Sequence, residues 1–558
     1  MYKKMVYYLY KIGETNMKRK GFTLIELLAV IVILAILMVI AVPKILDVIE
    51  NSRKSAVKSS AELYIDAVNK NNALYQIDSS KYKKINDGES DISTLNIKVK
   101  GEGPTSGTII VLNGKVMSAS LCIQGYKVLY NNQITTVIKT DSCIKKIIYK
   151  EEILNGTDPV LSANLVPVTI ENDGTVKKAD LYSNWYSYEN KRWANAVILE
   201  DPSKLYIEGD TIPEGNIESY FVWIPKYKYK LFNLGNYEKE SGTTKPTTST
   251  ANTIDIVFGT TNTNDNNEGE CTTPKTTGGT GNCDSNEYMT HPAFLAFDTN
   301  GLWIGKFETT GTIDNLTVKP GEKSLSTQTL KTMFDASYNY KKDNESHMMK
   351  NTEWGAVAYL SHSKYGINAK VNINNNSDFL TGYSAVETTN QSDYPGTYGT
   401  TSNVTLPYNT STGYKASTTG NITGIYDMSG GAHEYMASYV DGKYGKSGYN
   451  SDPINLYSNG NKYFDKYSST STEKSYKNRI LGDATGEMGR FYSYKDGDGK
   501  LRYHSGWYND FAFFVEPSYS WFYRGGYYDA GVLSSQFAFL RNTGDSLAGV
   551  SFRLVLTK

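Results

Sequence analysis

The run FTLIELLAVIVILAILMVIAV, residues 22–42, constrains this chain more than any other feature. As an α-helix rising about 1.5 Å per residue it is long enough to cross the hydrocarbon core of a bilayer. Glu26 is the only charge within it. Lys18, Arg19 and Lys20 stand immediately before it, after an opening that also carries Lys3, Lys4 and Lys11. Basic flanks of this kind stay in the cytoplasm, which sends everything after Pro43 across the membrane. An ordinary secretory signal would need a shorter apolar core and a small-residue cleavage site, and IAVPK does not offer one.

Beyond Pro43, apolar residues at Ile45, Val48, Ile49, Val57, Ala61, Tyr64, Ile65 and Val68 recur at helical spacing among Lys, Ser, Asp and Glu. The helix is expected to continue to about Ala73, apolar all round at first and amphipathic later, with Pro43 a candidate kink. GTIIVLNGKVMSASLCIQGYKVLYNNQ then alternates β-branched and aromatic residues around Asn113-Gly114 and Asn131-Asn132, which reads as a β-meander. These signals divide the first part into a leader (1–21), a helix (22–76, membrane-spanning at 22–42) and a small β domain (77–150). A connecting region (151–192) and a large domain (193–558) follow. Within the large domain, residues 233–289 are Thr-, Asn- and Gly-rich, too poor in apolar content to fold alone, and read as a surface insertion.

Lys plus Arg and Asp plus Glu are both 58, so no overall field attracts nucleic acid, and a nucleic-acid partner is not expected. Tyr, at 45 against 18 Phe, suits β-rich surfaces and adaptable binding faces. The four cysteines fall in two close pairs, Cys122 with Cys143 and Cys271 with Cys283, which suits two local disulfides in an oxidising compartment.

KRKGFTLIELLAVIVILAILMVIAVPKI resembles the prepilin cleavage and methylation motif of type IV pilins and type II secretion pseudopilins. The resemblance implies a cut after Gly21 by a prepilin peptidase, N-methylation of Phe22, and guidance of assembly by Glu26. The physics agrees: an unpaired carboxylate in a membrane helix costs at least about 2.5 kcal/mol, and the freed Phe22 ammonium of a neighbouring subunit is the natural partner for Glu26. The sixteen residues before Met17 do not follow the usual leader. The implied partners are other pilin subunits and the membrane, and the implied location is the cytoplasmic membrane and then the cell surface or an extracellular pilus.

A second set of phrases comes in order: YFVWIPKYKY at Tyr220, GLWIGKFETT at Gly301, NTEWGAVAYLS at Asn351, GIYDMSGGAHEYM at Gly424, WFYRGG at Trp521 and VSFRLVL at Val550. Together they resemble the formylglycine-generating-enzyme fold, a C-type-lectin-like architecture. The fold class expected is therefore α+β: a long N-terminal helix, a small pilin sheet and a large lectin-like domain. Trp354 and Trp521 read as core aromatics. The resemblance implies a calcium site at Asp427, Gly430, Ala432 and Glu434, with carboxylate and carbonyl oxygens suited to Ca²⁺. In the other reading of that turn, Asp427 and Glu434 cap backbone amides.

The family's enzymes use a late pair of cysteines, and this chain has none after Cys283. His291, His347, His362, His433 and His504 are isolated in sequence and form no ligand motif. No catalysis is expected, which disfavours a surface enzyme of that type against a minor pilin, a pilus-tip binding protein or a pseudopilin. The segment SWFYRGGYYDAGVLSSQFAFLRNTGDSLAGVSFRLVL, residues 520–556, also resembles the C-terminal variable segment of retroelement-diversified proteins. That resemblance implies a face for an extracellular ligand between Tyr519 and Arg541 that includes Tyr523, Arg524, Tyr527, Tyr528, Asp529 and Gln536. Ordinary loop and strand structure in a Tyr-rich protein is the alternative.

Overall fold

The computed structural model describes the backbone from Leu24 onward. Residues 1–23, 140–156, 181–184, 233–252, 260–286, 386–404, 469–479, 486–491, 496–500, 505–506 and a few other positions lie outside the described residues, as do the side chains of 24–47 and of a few other stretches. Chain contacts separate two compact units, Met1–Lys146 and Ile147–Lys558.

In the first unit, helix α1 (Leu24–Ile77) continues through Pro43. Five strands follow: β1 (Gly88–Asp91), β2 (Ser106–Leu112), β3 (Lys115–Ile123), β4 (Tyr126–Asn131) and β5 (Ile134–Lys139). They pair in that order as an antiparallel meander. Val57, Ala61, Tyr64, Ile65 and Val68 recur at helical spacing, and all are buried with Ile109, Val111, Ala119, Leu121 and Val128 of the sheet. Each large side chain so buried contributes about 1.5–3 kcal/mol. Asn72 fixes the register of helix and loop, donating through Nδ2 to the Ile85 carbonyl and accepting from its N–H at 2.9 Å. Val48 and Ile49, expected on the same stripe, are instead 65% and 44% exposed, because the sheet does not extend alongside them. Cys122 is disulfide-bonded; Cys143, Cys271 and Cys283 lie outside the described residues. The membrane span expected at 22–42 also falls on residues whose side chains are not described, and among the described residues no helix is long and apolar enough to cross a membrane.

The second unit is mostly β. Its larger sheet holds seven strands: β6 (Val166–Ile170), β7 (Val176–Lys178), β8 (Asn195–Leu199), β9 (Ile217–Pro225), β10 (Gly301–Gly305), β11 (His347–Met348) and, near the C-terminus, β17 (Leu554–Leu556). Their spatial order is β11-β17-β10-β9-β8-β6-β7. NAVIL and GLWIG are buried at every position, as strands covered on both faces require. Residues 151–192 were expected to connect two domains. Those of them that are described instead supply β6 and β7 and the buried rings of Trp185, Tyr186 and Tyr188, which belong to the core.

A second sheet is centred on β12 (His433–Val440), with β13 (Asp465–Tyr467) and β14 (Trp521–Arg524) beside it, β15 (Phe539–Asn542) beyond β14, and β16 (Val550–Phe552) also pairing with β12. Helix α2 (Leu330–Tyr340) begins at a Thr329 cap, and α3 (Asn351–Ser361) is buried along its whole length. Trp354 and Trp521 are fully buried. Within the range 233–289 expected as a surface insertion, Ile256–Phe258 and the start of Tyr288–Thr290 are instead strands that pair with Tyr227–Lys230, and Ile254 and Ile256 are buried in the core.

Candidate ligand-binding face

The chain crosses from the second sheet to the first within a single residue, Arg553, between β16 and β17. Its side chain is wholly buried. Nε donates to Glu434 Oε2 at 2.9 Å, Nη1 to the Gly305 carbonyl at 2.8 Å, and Nη2 to the Tyr426 carbonyl at 3.0 Å and to Glu434 Oε1. The fork geometry of a guanidinium suits a carboxylate held in two places.

Asp427 and Glu308 share this buried surrounding. Asp427, in left-handed backbone at φ 61°, accepts from the Gly382 N–H at 2.9 Å and from Asn374 Nδ2 at 2.9 Å. Glu308 accepts from the Ala432 N–H at 3.1 Å. Burial raises the Glu434 carboxyl to about 7 even with Arg553 attached. Burial also raises Asp427, and burial with the neighbouring Glu434 and Asp427 charges holds Glu308 well above the ordinary carboxylate range. One guanidinium stands among three carboxyls, and the one to which it donates is Glu434.

This arrangement does not fit a bound calcium ion. Ca²⁺ takes six to eight oxygens, whereas Glu434 is clasped by Arg553 and both Asp427 oxygens already accept amide hydrogens. Among the described residues no group of three or more acidic, His or Cys side chains is placed to hold a metal. Asp427 acts as an amide cap, and Glu434 is neither a metal ligand nor a cap, because it pairs with Arg553. Gly430 and Ala432 use their N–H groups instead, donating to the Gly525 carbonyl and to Glu308.

The turn from Asp427 to Glu434 is a junction for two surface loops. Gly431 accepts from the Tyr528 N–H at 3.0 Å, and the Gly430 N–H reaches the Gly525 carbonyl at 3.0 Å. Gly525 and Gly526, at φ 84° and 88°, take the chain out of β14 in left-handed backbone open to glycine. Ser534 Oγ then accepts from the Tyr527 N–H and donates to its carbonyl, both at 3.1 Å. The other loop, 374–380, hangs from Asn374, whose Nδ2 donates to the Leu380 carbonyl and to Asp427 Oδ1, each at 2.9 Å. Asn374 also accepts from the Gly431 N–H at 2.7 Å. Phe379 is held at φ 59°, where non-glycine residues seldom sit.

Both loops present rings. Phe379 lies 5.3 Å from Tyr528 and 5.5 Å from Tyr527, centroid to centroid, and the two tyrosines lie 4.8 Å apart. His433 stacks on Tyr527 at 5.2 Å and touches Tyr523 at 4.3 Å. Burial pushes the His433 imidazole down to about 3, so it stands neutral. Phe379, His433, Tyr523, Tyr527, Tyr528 and Asp529 are all partly exposed.

Four residues of the expected face, Tyr523, Tyr527, Tyr528 and Asp529, are therefore together at the surface, and two are not. Arg524 is fully buried, its Nη1 donating to Asn351 Oδ1 and the Asp483 carbonyl, each at 3.0 Å. Its guanidinium lies over the Trp354 and Phe539 rings. Gln536 is buried too, donating to the Ala369 carbonyl at 2.8 Å and accepting from the Val371 N–H at 3.2 Å. Side chains alternate along a strand, so Tyr523 facing out sends Arg524 in. Phe379 and His433 were missed, one for its distance along the chain and the other because its segment read as a metal turn. Gly21 and Phe22, and the Glu26 side chain, lie outside the described residues.

Residues 16–42 match the prokaryotic N-terminal methylation motif. No curated protein matches the chain. Among solved structures it is similar to a chain described as "Major Tropism Determinant I1 Variant", at 12% identity over 82% of each chain and a TM-score of 0.23. A likeness at that score does not establish a shared fold. The chain thus carries a type IV pilin-like N-terminus, a motif that goes with processing by a prepilin peptidase, assembly with other pilin subunits and a surface or secreted destination.

Proposed function

We propose that this chain is a minor or tip subunit of a type IV pilus whose second unit binds an extracellular ligand without catalysis, through the face made by Phe379, His433, Tyr523, Tyr527, Tyr528 and Asp529. The observation that carries this reading is the partly exposed ring cluster fixed on two strapped loops. Rings held rigidly at a surface offer large contact area at little entropic cost on binding. Val48 and Ile49 on α1 are exposed within their own unit, which suits a helix that packs in a filament. Changing Tyr527, Tyr528 and Asp529 together to Ala in cells that display the protein tests the reading. The expected result is loss of adhesion with normal amounts of the chain in sheared filaments. Adhesion equal to wild type, with the variant present in the filaments, would refute the assignment.

A further inference from the structure

The ring cluster is bordered by acid. Asp529 follows Tyr528 directly, and Asp378 precedes Phe379 on the facing loop. Asp378 is exposed and Asp529 partly exposed. Among the described residues no cation pairs with either. The charged groups of the surrounding elements are otherwise committed: Arg553 to Glu434, Arg541 to Glu516 at 3.2 Å, and Arg524 to Asn351 beneath the sheet. Lys323, bridged through its backbone to Leu380, is exposed and stands next to Glu322, which offsets it. His433 is neutral, as its burial dictates.

The rings face different ways. Phe379 stands at 89° to Tyr528 and 59° to Tyr527, and the tyrosines are tilted 46° to each other. The three rings touch one another and are each partly exposed, so they form one aromatic platform at the surface, with one side of Tyr527 taken by His433. Tyr527 cannot retreat from it. A Cβ at Gly549 would sit 2.3 Å from its ring, so the ring already rests against bare backbone. Aromatic faces carry negative potential and attract cations. Asp529 lies near enough to Tyr527 for its charge to raise the tyrosine hydroxyl, and burial raises the Asp529 carboxyl itself. A carboxylate partly stripped of water beside aromatic faces, with no cation of its own, is complementary to a positive charge brought by a partner.

Building on the proposed binding face, we propose that its ligand is a protein surface presenting an arginine or lysine side chain, which lies over the Phe379–Tyr527–Tyr528 platform with its charge against Asp529. A guanidinium satisfies both halves of the site, stacking on a ring while donating to a carboxylate. A neutral sugar would stack on the rings and leave the acid without a counter-charge.

The test uses the full chain in neutral detergent micelles and a fluorescein-labelled hexa-arginine peptide, with hexa-glutamate and a methyl glycoside as comparison probes. Wild type is expected to bind hexa-arginine and neither of the others, with affinity falling as salt rises from 50 to 300 mM. Asp529→Asn is expected to weaken that binding about tenfold, the change that loss of one charge-assisted contact produces. Tyr527→Leu should weaken it severalfold while the melting temperature stays near wild type. The proposal is overturned if hexa-arginine fails to bind, if Asp529→Asn binds it as wild type does, or if the glycoside binds instead. In each of those cases the adhesion assay still decides the binding face separately. Loss of adhesion in the triple variant without peptide binding removes the cation and keeps the face, and unchanged adhesion removes both.

Discussion

Arg553 and Glu434, both fully buried, are joined at 2.9 Å between Nε and Oε2, and through this pair the residue that links the seven-stranded and five-stranded sheets of the second unit is fixed to the central strand of the latter. The same guanidinium closes on the carbonyls of Gly305 and Tyr426, so a single side chain ties β10, β12 and the turn before Asp427.

Replacing Arg553 by Met should therefore be strongly destabilising, by about 3–5 kcal/mol, because Glu434 and Asp427 would remain buried without a cation. Arg553→Lys keeps the charge but not the fork and should fall between. Thermal melting of the full chain checks the order, and calcium chelation should leave the wild-type melting temperature unchanged.

Lys306 is another buried cation. Its Nζ donates to Asn195 Oδ1 at 2.9 Å, to the Ile422 carbonyl at 2.7 Å and to the Gly424 carbonyl at 2.8 Å. Burial pushes the ammonium well toward losing its proton. Three acceptors around one nitrogen nevertheless match the three hydrogens of the charged form. Lys306→Met would leave all three oxygens without a donor in the core and should cost on the order of 3 kcal/mol. An unchanged melting temperature would show that these contacts contribute nothing.

Acid should destabilise the second unit through its histidines. Burial pushes His291 down to about 3 and His362 to about 4, against an ordinary value of 6.5. The unfolded chain then takes up protons that the folded chain refuses. Stability is full above pH 6.5 and is lost as pH falls toward 3, by up to about 1.4 kcal/mol per pH unit for each histidine. His291 packs among Tyr227, Tyr229, Phe294 and Tyr359, so Phe fills its place. In denaturant titrations across this range His291→Phe should show a shallower loss than wild type, and an identical slope would contradict the assignment.

How much could be read from the sequence depended on whether a feature was local. Val57, Ala61, Tyr64, Ile65 and Val68 declared a buried helical stripe because periodicity alone determines which side of a helix is apolar, yet the exposure of Val48 and Ile49 depends on where the sheet ends. Tyr527 and Tyr528 were expected at the surface from the resemblance to a variable binding segment and from tyrosine's use in contacts. Arg524 and Gln536 were misplaced, since a residue type common at interfaces says nothing of which side of a strand it occupies. Asp427 and Glu434 were singled out as calcium ligands or amide caps, not as acids buried around a guanidinium. Their counter-charge, Arg553, lies more than a hundred residues away, and only the fold brings it to them.

The central claim, that a pilin-type N-terminus carries the aromatic face to the cell exterior, is tested most directly by mass spectrometry of the chain recovered from sheared filaments. The account predicts an N-terminal peptide beginning at N-methylated Phe22, together with peptides from residues 521–541. A chain that still begins at Met1 or Met17, or that is absent from the filaments, would contradict it.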